Sequence, residues 1–132
     1  MAKIHAGVSE LKAAHNNLET ASKGTGAPAY LLLYYAAECG LKCAQLRRNK
    51  LRTTKQLESA DHDLHALVKN LKLSASTLGP PPTLRLSKRK SEVCSHSDAH
   101  QAWRYGVHID DSDEAEFVSW LRRICKILKE HI

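Results

Sequence analysis

A chain of 132 residues fits one folded domain, and an apolar content of 42% excludes wholesale disorder. The formal charge of +6 favours encounters with polyanions such as RNA or nucleotides. The most apolar run, AYLLLYYAA at 29–37, is followed by Glu38 and is too short to span a bilayer, so no membrane partner is expected. The first twenty residues carry Lys3, Glu10, Lys12 and Glu19 and no apolar core of a secretory signal. A cytoplasmic location is therefore expected, with Cys39, Cys43, Cys94 and Cys125 as reduced thiols.

In chain order, Ile4, Val8, Leu11 and Leu18 form one helical stripe across residues 2–20, with His15 inside it. KGTGAP at 23–28 turns the chain, and Pro28 suits the first turn of a second helix, where its missing N–H is harmless. That helix should run from about Ala29 to Arg48. Its first half is apolar on all sides, which marks it as the central helix. Residues 49–60 are basic and polar and read as a loop. SADHDLHALVKNLKL follows, where Asp61 can cap a third helix with Leu64, Leu67, Val68 and Leu71 on its apolar face. SASTLGPPPT at 74–83 breaks the pattern, because three prolines cannot sit inside a helix. RLSKRK at 85–90 reads as a basic loop.

A shorter fourth helix is expected over Glu92–Trp103, interrupted by Gly106. Asp111 and Glu114 have capping-box spacing for the last helix, whose inner stripe is Phe117, Trp120, Leu121, Ile124 and Leu128. No strand signal is found. The expected fold is all-α, an up-and-down bundle of four to five helices in a single domain over 1–132, with a proline-rich and basic internal loop at 74–91.

Three segments occur in a telling order: YYAAECGLK at 34–42, HDLHAL at 62–67, and WRYGVH directly before the final amphipathic helix. Over about residues 28–130 this order resembles the HEPN family of helical nucleotide- and RNA-associated domains. The resemblance implies a HEPN-like bundle and, in catalytic members, a metal-independent endoribonuclease of toxin or defence type. The family signature is an arginine, four to six residues, then a histidine, used by two copies across a homodimer cleft. The resemblance also implies an alternative, a non-catalytic module that binds a nucleotide or a partner protein such as a nucleotidyltransferase.

Two pairs can carry the motif. Arg104 and His108 abut the final helix but enclose only three residues, with Tyr105 where a small polar residue is usual. Arg89 and His96 enclose six but lie earlier. Position favours Arg104 and His108. An arginine fork matches two phosphate oxygens, and a histidine exchanges a proton near neutral pH, as attack by a ribose 2′-hydroxyl requires. If the segment is helical, the four-residue offset puts both groups on one side. The alternative is a structural bundle end, with Arg104 stacked on an aromatic ring and His108 as a cap.

Other groups invite the same double reading. Glu38 and Lys42 are spaced for an i,i+4 ion pair, or Glu38 faces the cleft and orients Arg104. His62 stands at the start of the third helix, where an N-terminus favours anions, and is otherwise a solvent-facing cap residue. Residues 47–52 and 85–90 can track a phosphate backbone or be solvated loops. Cys94, His96 and His100 lie close in sequence, but neither CxxC nor HExxH spacing occurs, so no metal and no cofactor is expected.

Overall fold

The computed structural model describes residues 6–55, 64–71, 78–79, 81–87, 92–130 and 132. The fold is an all-α bundle of α1 (Val8–Ala21), α2 (Ala27–Arg48), α3 (Leu64–Leu71), α4 (Ala99–Tyr105) and α5 (Asp111–Leu128). A two-residue pair, β1 (Leu84–Arg85) and β2 (Val93–Cys94), lies between α3 and α4 and is antiparallel. Among the described residues no helix is long and apolar enough to cross a membrane.

Helix α2 is the hub, and α1, α3, α4 and α5 all pack on it. Pro28 sits in its first turn, as expected. Its burial is centred later than the sequence suggests: Tyr30 and Leu31 are partly exposed, whereas Leu33, Tyr34, Leu41 and Leu46 are fully buried. The N-terminal turn lies at the margin of the bundle, and only from Leu33 onward do neighbours surround it.

Three helices approach closely at Gly40. A β-carbon there would lie 2.6 Å from Leu128 Cδ1 of α5 and 2.7 Å from His15 Nδ1 of α1. His15 is buried, and its Nδ1 donates to the Ala36 carbonyl at 2.7 Å. Its Nε2 lies 3.5 Å from Glu19 Oε2, and Lys129 reaches Glu19 Oε1 at 3.3 Å. The histidine in the α1 stripe thus ties three helices at one glycine.

The second large contact is aromatic. Trp103 of α4 and Phe117 of α5 stack at 5.7 Å, and Phe117 stacks on Trp120 at 5.9 Å. Trp103 Nε1 donates to Glu114 Oε2 at 3.0 Å and Trp120 Nε1 to the Gly79 carbonyl at 3.2 Å, so both buried indoles keep a polar partner.

Two expectations are corrected. The single helix over Glu92–Trp103 is instead β2, a 3-10 turn at His96–Asp98 and then α4. Arg85 pairs with Val93 and Leu84 with Cys94, and Ser95 Oγ donates to Asp98 Oδ2 at 2.8 Å where the helix begins. The absence of strand signal is thereby also corrected, since strands of two residues are too short to show alternation. The cap of α5 is Asp110, not Asp111: Asp110 Oδ1 accepts from the amides of Ser112 and Asp113, each at 3.1 Å. The expected cap Asp61 lies outside the described residues.

The contact at Gly40 gives a direct test. Alanine improves intrinsic helix propensity by about 1 kcal/mol over glycine. Overpacking a close contact costs about 1–3 kcal/mol. His15 is held by its hydrogen bond and cannot yield cheaply, so overpacking wins. Gly40→Ala should lower the stability read from urea unfolding by about 1 kcal/mol or more. A variant as stable as the parent would show that the approach of α1 and α5 is not constrained there.

Candidate functional site

The WRYGVH segment closes one end of the bundle. Arg104 occupies the last turn of α4, and Gly106 ends the helix in the left-handed region at φ 76°. Both Gly106 and Val107 return their amides to the Ala102 carbonyl, Val107 at 2.9 Å. The chain then runs beside β1: Ser87 N donates to the His108 carbonyl at 2.9 Å, and Asp110 N to the Arg85 carbonyl at 2.8 Å. The helical turn that would have placed Arg104 and His108 on one side is therefore not made. His108 is instead a solvent-exposed side chain on a backbone pinned to β1.

The guanidinium of Arg104 is exposed, yet it has a defined place. One nitrogen donates to the hydroxyl of Tyr35 on α2, and its Cζ lies 5.9 Å from the Tyr105 ring centroid. Hydrogen bonding to Tyr35, and then to Tyr105, raises its pKa above the ordinary arginine value, so the charge is permanent. Among the described residues no carboxylate pairs with it. The Tyr105 ring is 71% exposed, and Val107 beside it is 48% exposed. Behind Arg104, buried His100 sits 5.1 Å from the Tyr34 ring and 6.1 Å from that of Tyr35. Tyr35 is not singled out by the sequence, and His100 enters there only beside Cys94 and His96. YLLLYY reads only as apolar, and the one available signal was a second tyrosine hydroxyl in a run that needs none for packing.

Other sequence candidates are placed differently. Lys42 Nζ and Glu38 Oε2 form the expected i,i+4 pair at 2.8 Å, with Glu38 only 5% exposed. The orienting partner of Arg104 is Tyr35, one turn earlier on α2, rather than Glu38. His96 is a packing residue: its ring lies 5.7 Å from Phe117 and 6.4 Å from Trp120, and Nε2 meets the Pro82 carbonyl. Arg89 and His62 lie outside the described residues.

Arg85 leaves the phosphate-tracking role expected of residues 85–90. Its Nε and Nη2 clamp Asp113 Oδ2 and Oδ1 at 2.9 and 3.0 Å, and its own amide adds a third bond at 3.0 Å. The bidentate hydrogen bond to Asp113 raises the Arg85 pKa.

Among the described residues no group of three or more His, Cys, Asp or Glu side chains can hold a metal. The four cysteines are unpaired. No protein-family model matches the chain, and the comparisons with curated proteins and with solved structures find no match either.

Burial disfavours every thiolate here. It is the leading cause that pushes Cys39 up to about 11 and Cys125 up to about 12, and it raises Cys43 and Cys94 as well. A raised thiol pKa leaves the neutral form dominant through neutral pH, and the thiolate is the nucleophile. Iodoacetamide at mildly alkaline pH should therefore modify Cys39 and Cys125 at least about 100-fold more slowly in the folded protein than in urea, as read by mass spectrometry. Equal rates in the two states would refute this placement of the thiols.

Proposed function

We propose that the chain is a HEPN-like helical domain that binds RNA or a nucleotide by its phosphate at the Arg104 end of the bundle. The observation that carries this reading is the state of Arg104: exposed, permanently charged, oriented by Tyr35 and without a carboxylate partner among the described residues. An arginine fork that is already oriented loses less freedom when it donates to two phosphate oxygens. The exposed Tyr105 ring offers a base a stacking face next to that charge. In this reading Arg104 grips the phosphate, Tyr105 stacks the base and His108 lies further along the same loop.

A second reading, metal-independent cleavage, draws on His108. Its side chain is exposed four residues beyond Arg104, and its backbone is fixed by Ser87. There His108 takes the proton of the ribose 2′-hydroxyl as its oxygen bonds to phosphorus, the P–O5′ bond breaks, the departing 5′-oxygen takes a proton from the imidazolium or from water, and Arg104 stabilises the charge on the phosphate. The resemblance further supports a homodimer, and a nucleotidyltransferase-like protein as an alternative partner.

One experiment separates the readings. Labelled single-stranded RNA is mixed with the protein in excess EDTA, and binding is read by anisotropy while cleavage is read on gels. A charge-assisted contact is worth about 1.5–3 kcal/mol, so Arg104→Ala should weaken binding at least about tenfold. Tyr105→Ala should weaken it about fivefold or more, the scale of one stacked base. His108→Ala should leave binding intact and abolish any cleavage that the parent shows. Unchanged affinity in a folded Arg104→Ala protein, or no affinity of the parent for RNA or nucleotides, would remove the binding reading.

A further inference from the structure

The outward face of α5 holds a second concentration of positive charge. Ala115, Ser119, Arg122, Arg123 and Lys126 are exposed, and with Val118 they line an open groove of about 370 Å³. At about 100° per residue, Ser119 and Lys126 lie near the middle of this strip, with Arg122 to one side and Arg123 to the other. Arg122 donates to the Ser22 carbonyl at 3.2 Å, just past the end of α1. Arg123 donates to the Leu78 carbonyl at 3.2 Å and to Ser119 Oγ at 3.1 Å. Both guanidiniums are thus held by neutral oxygens, as Arg104 is held by Tyr35. An arginine has five N–H donors, so each keeps several for a ligand. Among the described residues none of the three cations has a carboxylate partner. Glu116 shares the exposed face but does not line the groove.

We infer that this groove holds the sugar–phosphate backbone of an RNA strand, as a second contact beside the one at Arg104. That the ligand is RNA rests on the reading proposed above, whereas the fit to phosphate comes from the groove itself. Two anchored guanidinium forks match phosphate oxygens, and Lys126 adds a point charge about one turn further on. No aromatic side chain lines the groove, so it grips backbone and not bases. The exposed large hydrophobic side chains are Val93, Tyr105 and Val107, none of them on α5. A membrane surface or a peptide partner would need an apolar anchor on this face.

The groove also narrows the ligand class. Phe117, which stacks on Trp103 of α4, lies about 200° round the helix from Ser119. The body of α5, about 10–12 Å across with its side chains, therefore stands between the groove and α4, which carries Arg104. A mononucleotide at Arg104 does not reach the groove. A strand that passes round the bundle engages both, so the ligand is a polynucleotide and not a free nucleotide.

The test measures the affinity of the full chain, by anisotropy across a range of salt, for a trinucleotide and for a single-stranded RNA of about 16 nucleotides. Each phosphate neutralised on a single strand contributes about −0.7 to the slope of log affinity against log salt. Lys126→Gln removes one cation and should flatten the slope for the longer RNA by about 0.7. Arg122→Gln, Arg123→Gln and Lys126→Gln together should flatten it by about 2 and weaken binding at least about tenfold at low salt. The trinucleotide, held at Arg104, should bind parent and variants alike. Arg122→Lys with Arg123→Lys keeps the charge and should keep the slope, which separates charge from packing, and circular dichroism checks each fold. Unchanged affinity and slope in the triple variant overturn the inference and leave the Arg104 reading standing. Equal weakening of the trinucleotide overturns it too, since the groove is then not a second contact. A slope flattened by the triple variant but untouched by Arg104→Ala upholds the groove and removes the Arg104 reading. A parent without affinity for RNA overturns both, and binding of phosphatidylserine vesicles through the same three cations would then assign the groove to a membrane surface.

Discussion

The bundle depends on a side chain that is missing. Gly40 sits at the middle of the hub helix, and the space where its β-carbon would be is occupied from one side by His15 of α1 and from the other by Leu128 of α5. Helix axes packed through ordinary side chains stay 8–10 Å apart, and a glycine lets them come closer. What fills the gap is partly polar. A carbonyl only accepts, so His15 Nδ1 carries the proton shared with Ala36, whose own helical donor is the amide of Gly40. The buried imidazole is thus bonded to the very turn of α2 it packs against. Glu19 and Lys129 extend that contact to the surface, where the end of α5 is tied to α1.

The second constraint is the start of α5, where each acidic side chain has a separate task. Asp110 caps the helix, Asp113 holds Arg85, and Glu114 takes the Trp103 indole. Each task draws a different element toward the same helix turn: the connecting loop, β1 and α4. The loop that follows Tyr105 and carries Val107 and His108 is suspended between these anchors, its backbone fixed and its side chains in solvent. Rigid backbone with exposed chemistry is the usual arrangement for a binding loop. It explains why Arg104 needs no acid to be held in place.

Sequence reading recovered the parts of the molecule governed by local rules. Pro28 and Gly106 punctuate helices as their backbone chemistry dictates, and the long stripe from Phe117 to Leu128 is the buried face of α5. The cap of α5 was misplaced by one residue because Asp110, Asp111 and Asp113 are locally equivalent. The choice is made by Arg85, 28 residues away, which claims Asp113. The expected helix over Glu92–Trp103 overran β2 because two-residue strands carry too little alternation to compete with a helical pattern. The role of Gly40 is not legible at all, since nothing in a linear pattern shows two other helices converging on it. Of the candidate site, Arg104 and His108 were legible as residue types. Their geometry was not, because Gly106 separates them and Tyr35 comes from the opposite end of the chain order.

The pairing of charges decides where the excess of +6 becomes chemically available. Glu38 is matched to Lys42, Asp113 to Arg85, and Glu19 to Lys129. Arg104, Arg122, Arg123 and Lys126 are left without carboxylates among the described residues, and they fall into two unlike environments. At Arg104 a single fixed cation lies beside an open aromatic ring, which matches one phosphate and one base. On α5 the three cations share one exposed stripe with a single acid, Glu116, so that face keeps an excess of positive charge. The placement of the acids therefore decides which cations are held inside the fold and which stay open to a ligand.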